Sequence, residues 1–512
     1  MAESRIRNVK RNLMTGLLYR AISILLPFII RTAILYILGE QYLGLSSLFS
    51  SILQVLNLAE LGFSSAIVYN MYRPVAEGDA QTVCALLNYY KKACRIIGGV
   101  IALGGLLLTP WLPWLVHGAW LVETDLYLLY LLYLLNTAVS YFLFAYQGAV
   151  LNAVQRADLT NLVQTAVQTA KYLVQLLVLL VFKSYYLYMA AAIAATIVTN
   201  LTTAHIAVKR FPQFRCRGEI SAAFRKDVRE QVGGLMIGKL SDTSRNCFDS
   251  IVLSAFFGLT AVAVYNNYFY IYGALYSVML VITGAMQASV GNSIATESRE
   301  KNYRDLQKVQ FLFAWLVGWC TACMLCLYQP FMALWAGEGL LLSEGNMVLF
   351  CVYFYAINMN SMRNLYFEGS GLWGAGKLSF VLEGLSNLAL NLVLGALWGT
   401  AGVLLATILT IFVFNFIART NILFKSYFKR SPRRFYWDHF LYAAATAFGS
   451  AATYFVCEAL PMSGLSGLFV RGIICIFLPN ALLLLCYFRK REFAAARELV
   501  KDLAKMDFRK GG

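Results

Sequence analysis

The chain has 512 residues, with 43 Lys and Arg against 26 Asp and Glu for a formal charge of +17, and it is 59% hydrophobic but only 13% charged. About 300 apolar positions exceed what one water-soluble core buries, so a soluble fold is excluded. At about 20 apolar residues per span, the supply suffices for roughly a dozen helical spans or more.

In chain order, apolar runs cover 13–38, 45–69, 96–116, 126–150, 159–181 and 186–208; after a basic stretch at 209–231 they resume at 232–257, 261–290, 311–335, 347–366, 378–397, 401–423, 440–460 and 468–488. The pattern predicts an all-α polytopic membrane protein of about 14 transmembrane helices. Met1 to Lys10 is polar and basic, and no small-residue cleavage site follows a short apolar core, so the first run is expected to stay as an anchor. Beyond 488, Phe493, Leu499, Val500, Leu503 and Met506 recur at helical spacing among Lys and Arg. That is the pattern of a basic amphipathic helix on anionic lipid, with a solvated tail as the alternative.

Cations set the orientation. With the N-terminus in the cytoplasm, the inside segments hold 34 of the 43 basic residues and the outside loops hold only Lys183. Shifting the frame by one helix breaks this alternation, so both termini are placed inside. The excess charge is thereby assigned to topology and lipid contact, which removes nucleic acid as its explanation. The longest soluble stretch is the inner linker, and no phosphate-cradling GxxxxGK[ST] run occurs, so ATP hydrolysis is not expected.

Eleven cysteines, mostly inside apolar runs, show no disulfide framework. Cys320, Cys323 and Cys326 have the look of a metal triplet. On one helix, however, the first and last point about 120° apart, and no His or fourth Cys follows, so they read as packing and no metal is expected.

A shift of 219 residues sets Leu38, Gly39 and 42–44 against Phe257, Gly258 and 261–263, each a short outer turn between long apolar helices. The same shift pairs Arg20 with Lys239, Gln164 with Glu383 and Gln168 with Asn387. One offset thus matches helix one to seven and five to eleven, implying two parallel six-helix lobes plus two extra C-terminal helices. The expected organisation is an N-terminal lobe at 1–208, a cytoplasmic basic linker at 209–230, a C-terminal lobe at 231–424, two further helices at 425–488 and a cytoplasmic tail at 489–512.

A charge at bilayer depth costs at least about 2.5 to 3.5 kcal/mol, so such residues usually face a cavity or a partner. The candidates are Arg20 and Arg31 on helix one, Glu60 on helix two, Lys171 on helix five, Lys239, Asp242, Arg245 and Asp249 on helix seven, Arg363 on helix ten, and Glu383 on helix eleven. Arg20 and Arg31 lie eleven residues apart, three turns within about 20°, and so share a face. Lys239, Asp242, Asn246 and Asp249 form a stripe, with Arg245 placed to pair with Asp249 at i+4. Gln54, Asn57, Glu60 and Ser64 on helix two, with Glu383, Asn387 and Asn391 on helix eleven, suggest one wet cavity whose net positive charge invites an anion. Snorkelling of Arg20 and structural ion pairs on helix seven are the alternatives. Arg419 and Arg471, near helix ends, read as interfacial anchors, and the tyrosines mostly as lipid-facing belts.

The run Leu38-Gly39-Glu40-Gln41-Tyr42-Leu43-Gly44-Leu45, followed by Leu56-Asn57-Leu58-Ala59-Glu60-Leu61-Gly62-Phe63, resembles the helix-one to helix-two region of bacterial polysaccharide flippases of the O-antigen and capsule type. Asp249-Ser250-Ile251-Val252-Leu253, Phe257-Gly258 and the run from Ala263 to Tyr268 are similar to their helices seven and eight. These belong to the multidrug, oligosaccharidyl-lipid and polysaccharide (MOP) superfamily. The resemblance implies a MATE-like V-shaped pair of six-helix bundles working by alternating access in the bacterial cytoplasmic membrane. It implies a non-enzymatic flippase that moves undecaprenyl-diphosphate-linked oligosaccharide from the inner to the outer leaflet, beside glycosyltransferases and a polysaccharide polymerase. Glu60 and Asp249 carry over by motif, whereas Arg20, Arg31 and Lys239 are assigned to the pyrophosphate on geometry. Asp242, Asp249 and Glu383 are candidates for proton or sodium coupling, with the membrane potential as a further energy source. A lipid II flippase, a multidrug cation antiporter of the same superfamily and a polytopic glycosyltransferase or polymerase are the competing readings.

Overall fold

Segments that lie in hydrocarbon have no water to satisfy the backbone, so each must close its own hydrogen bonds, and helices do so. The computed structural model describes residues 2–60, 62–116, 124–460, 462–488, 490 and 493, leaving aside the side chains of 2–14, 17, 58, 59, 223, 231, 234, 235, 237–242, 244 and 246. Among the described residues it is helical with no strand. The basic amphipathic tail lies almost wholly outside them.

The chain divides into two compact units, Met1–Ala263 and Val264–Gly512. The first holds α1 (Ala2–Ile37), α2 (Glu40–Leu56), α3 (Phe63–Glu77), α4 (Ala80–Leu108), a short α5 (Leu112–Leu115), α6 (Leu126–Phe142), α7 (Gln147–Ala153), α8 (Ala157–Phe182) and α9 (Tyr185–Arg210). α10 (Ala222–Thr296) is two helices joined across Gly258, and its first half belongs to this unit. The second unit continues with α11 (Arg299–Ala336), α12 (Glu344–Met359), α13 (Ser361–Gly369), α14 (Trp373–Thr410), α15 (Arg419–Leu423), α16 (Arg433–Glu458) and α17 (Gly464–Tyr487). Wide-turn π-helix fills Ile411–Ala418 and Phe424–Phe428. Side-chain caps start several helices: Asp125 accepts from the Tyr127 and Leu128 amides, and Ser298 from that of Lys301.

Nine segments among the described residues are long and apolar enough to cross a membrane. Two of these are double, broken at Gly258 and at Gly399, whose backbones leave the helical region. Adding the bent pair α6 and α7, inclined at 55°, and the paired short helices α2–α3 and α12–α13 accounts for all fourteen runs. Three runs expected to be continuous are therefore broken. The second passes through a 3-10 turn, Asn57–Glu60, and a left-handed Gly62; the fourth bends near Phe144, with φ 57°; the tenth breaks at Asn360.

The basic linker is docked rather than free. Phe214, Ile220 and Val228 bury themselves against Ile67, Met71, Leu86 and Tyr90 of α3 and α4. Asn88 donates to the Gly218 carbonyl at 2.9 Å, and Lys92 pairs with Glu219 at 3.0 Å. The lipid-belt reading of the tyrosines is also corrected, because Tyr130, Tyr185, Tyr265, Tyr268, Tyr353 and Tyr487 are all under 2% exposed. Tyr272 stacks on Tyr353 with ring centroids 4.7 Å apart, so these rings join helices and do not face lipid.

Candidate functional site

α1 packs along α8. Arg20 and Arg31 on α1 and Lys171 on α8 are half-buried, and neither 14–37 nor 159–182 contains an Asp or Glu. Gln164 and Gln168 lie on α8, also half-buried, and the Lys171 ammonium sits 4.0 Å over the Tyr172 ring. Pro27 interrupts the amide ladder of α1 between the two arginines. The packed pair thus carries three cations on two stretches, 14–37 and 159–182, that contain no acid.

The break in the second span puts Asn57 and Glu60 against α6, where the Tyr141 hydroxyl donates to the Glu60 carboxylate and reaches Asn57 Oδ1 at 3.3 Å. Gln54 and Ser64 therefore do not share one continuous helical face with them. On α10, Arg245 and Asp249 are both buried, at 5% and 2% exposure. The side chains of Lys239, Asp242 and Asn246 lie outside the described residues.

The second unit holds a denser polar network. Arg419, expected to be an interfacial anchor, is buried at 4% exposure and pairs with Glu383, which is fully buried. Its guanidinium also lies 3.7 Å over the Phe380 ring and donates to Ser379 Oγ at 3.4 Å. Arg363, fully buried on α13, donates to both the carbonyl and the side-chain oxygen of Asn415 and to Thr420 Oγ1 at 3.3 Å. The π-helical run explains this reach: a wide turn displaces carbonyls from the ordinary ladder, and Arg363 takes one of them. Asn387 donates to Thr407 Oγ1 at 3.1 Å and Asn391 to Asn387 at 3.4 Å. Arg363 and Glu383 thus both bond to the segment 415–420, Glu383 in an ion pair with Arg419 and Arg363 through neutral acceptors. Arg471 does sit near its helix end, where it pairs with Glu458 at 2.7 Å.

The structure gathers a group that spacing along one helix did not reveal. Cys326 of α11 meets Cys457 of α16 and Cys475 of α17, their sulfurs all within 4.8 Å of one another and all three side chains buried. Cys323 packs against them, and Cys320 does not belong to the cluster.

Comparisons with known proteins agree with this architecture. The family of polysaccharide biosynthesis proteins matches residues 9–290. Among solved structures, a lipid II flippase, MurJ, in an inward closed conformation is similar with a TM-score of 0.64 at 13% identity, over 93% of this chain and 98% of its own. An inward-facing multidrug resistance MATE family transporter of the MOP superfamily gives 0.58 at 15% identity, over 78% and 95%. A MOP superfamily transporter from Pyrococcus furiosus, described as having a binding pocket of reverse polarity, gives 0.56 at 13% identity, over 83% and 96%. No curated protein sequence matches. Likeness at such identities shows a common fold.

Proposed function

Because the chain belongs to the family of polysaccharide biosynthesis proteins and has the fold of MOP superfamily transporters, we propose that it is a flippase and not an enzyme. Its cargo is an undecaprenyl-diphosphate-linked oligosaccharide, moved by alternating access from the inner to the outer leaflet of the bacterial cytoplasmic membrane. Both termini lie in the cytoplasm, and the basic tail rests on anionic lipid. The glycan arrives from glycosyltransferases and passes to a polymerase.

The observation that carries this reading is the packing of α1 along α8, whose stretches 14–37 and 159–182 hold cations and no acid. A pyrophosphate needs cations, and Arg20, Arg31 and Lys171 bring three of them onto these two stretches. Lys239 is assigned with them through the repeat. Asn57, Gln164 and Gln168 offer hydroxyl-binding groups to the sugars, and the polyprenyl tail stays in the bilayer. Asp242 and Asp249 are the carboxylates proposed for proton or sodium coupling. Glu383, held by Arg419, is assigned instead to stability.

The second reading, lipid II as cargo, is favoured by a similarity to the lipid II flippase that runs over 93% of the chain, against 78% for the inward-facing multidrug transporter. Proteoliposomes carrying a fluorescent polyprenyl-diphosphate oligosaccharide, with a leaflet-specific quencher, test both. Translocation of the oligosaccharide lipid, and its loss in Arg31→Ala and Lys239→Ala, is expected. Selective movement of lipid II would shift the cargo to the second reading. Full translocation by the double variant would overturn the cation assignment.

A further inference from the structure

The three buried cysteines form a compact set of soft donors from three helices. Cys326, Cys457 and Cys475 have 0%, 0% and 1% of their surface exposed. Their surroundings are Leu327, Tyr454 and Ile474, together with Cys323, whose sulfur lies 3.7 Å from the Cys475 carbonyl oxygen. Three thiols admit at most one disulfide and would leave one over. Thiolates bound to zinc at about 2.3 Å stand roughly 3.8 Å apart, so a contraction of about 1 Å from the largest separation allowed here completes such a shell. Cys323, one turn before Cys326, is a further sulfur donor packed against the three.

We propose that Cys326, Cys457 and Cys475, with Cys323 as fourth ligand, form a closed thiolate site for a thiophilic d10 cation, Zn2+ or Cu+, which ties α16 and α17 to α11. Soft sulfur ligands select these ions over Mg2+ or Ca2+. Each thiol that ligates the ion releases its proton. Arg471 lies one turn before Cys475 on α17 and bonds Glu458, the neighbour of Cys457, at 2.7 Å, so a cation flanks the negative shell. Burial leaves no position open to water, which makes the site structural. The inference is independent of the flippase reading, since no transport residue takes part.

The test uses the full chain purified in lipid nanodiscs under reductant. Metal content is measured after separate incubation with Zn2+ and with Cu+, and Co2+ serves as a spectroscopic stand-in. About one equivalent of Zn2+ or Cu+ is expected in the parent and in Cys320→Ser, lost in Cys326→Ser and Cys475→Ser. Thiolate-to-cobalt charge transfer in the unmutated protein gives the same answer if those variants fail to fold. The ion retained distinguishes zinc from copper. A folded parent that takes up neither ion and gives no cobalt band, binding unchanged in the cysteine variants, or a disulfide among these residues in fully loaded protein would each overturn the proposal.

Discussion

Arg419 and Glu383 form an ion pair closed to its surroundings on all sides, with 5% and 0% of their side chains exposed. Phe380 covers the guanidinium and Ser379 takes a further donor, so the pair is satisfied as well as buried. A buried pair of this kind gains little over a hydrophobic substitute, yet losing one partner strands a charge.

Arg419→Ala is accordingly expected to cost roughly 3–5 kcal/mol, because Glu383 would be left ionised and unpaired. The double variant Arg419→Met, Glu383→Leu should recover most of that loss. Thermal unfolding in detergent by tryptophan fluorescence checks both, and equal stabilities of the single and double variants would contradict the pairing.

Gly44 faces the backbone of Leu259 so closely that an added Cβ would lie 2.1 Å from its carbonyl oxygen. Gly44→Ala should destabilise by about 1–3 kcal/mol or more, since a backbone atom is the obstacle and yields less readily than a side chain. Gly99, which has open space around it, should tolerate alanine. The two melting temperatures, measured side by side, decide the matter.

If the cations of α1 hold a pyrophosphate, charge matters more than shape. Arg20→Lys and Arg31→Lys should keep measurable translocation, whereas Arg20→Gln and Arg31→Gln should reduce it by roughly tenfold or more, the weight of about 1.4 kcal/mol or greater for one charge-assisted bond. Initial rates in proteoliposomes at equal protein content give the comparison.

Docking of the linker carries a pH signature. The Lys92 ammonium beside it holds the Glu219 carboxyl below its ordinary value of 4.5. A carboxylate depressed on folding contributes fully above its unfolded value and loses that contribution as pH falls through the lower folded one. Hydrogen exchange in 211–220, corrected for intrinsic rate, should stay flat down to that ordinary value and rise below it. Lys92→Ala should already show the raised exchange at neutral pH.

The fourteen spans are legible in the sequence because hydropathy and helix length are local quantities. The breaks at 57–62, 143–146 and 360 are not, since only Gly62 marks one of them and the others are imposed by packing. The burial of Arg419, against the expectation of an interfacial anchor, has a definite cause. Hydropathy ends the twelfth run at 423, but helix continues through Phe428, which draws Arg419 deeper than its distance from the last apolar residue implies. The cysteine group is not legible in the sequence, because spacing along one helix says nothing about partners on two others. Charges within the spans are legible as unusual; that Arg363 bonds to the segment 415–420 depends on Asn415 and Thr420, which no charge pattern singles out.

Gly39, with φ 99° and ψ 167°, and Gly258, with φ 78° and ψ −178°, occupy the same corner of torsion space 219 residues apart. That corner is essentially closed to any residue with a Cβ. What the two stretches share is therefore a backbone conformation that glycine alone takes readily, whatever residues surround it. A repeat joining them is better tested by superposing dihedral angles than by aligning residues, and a mutational scan should find both glycines intolerant of any residue with a Cβ.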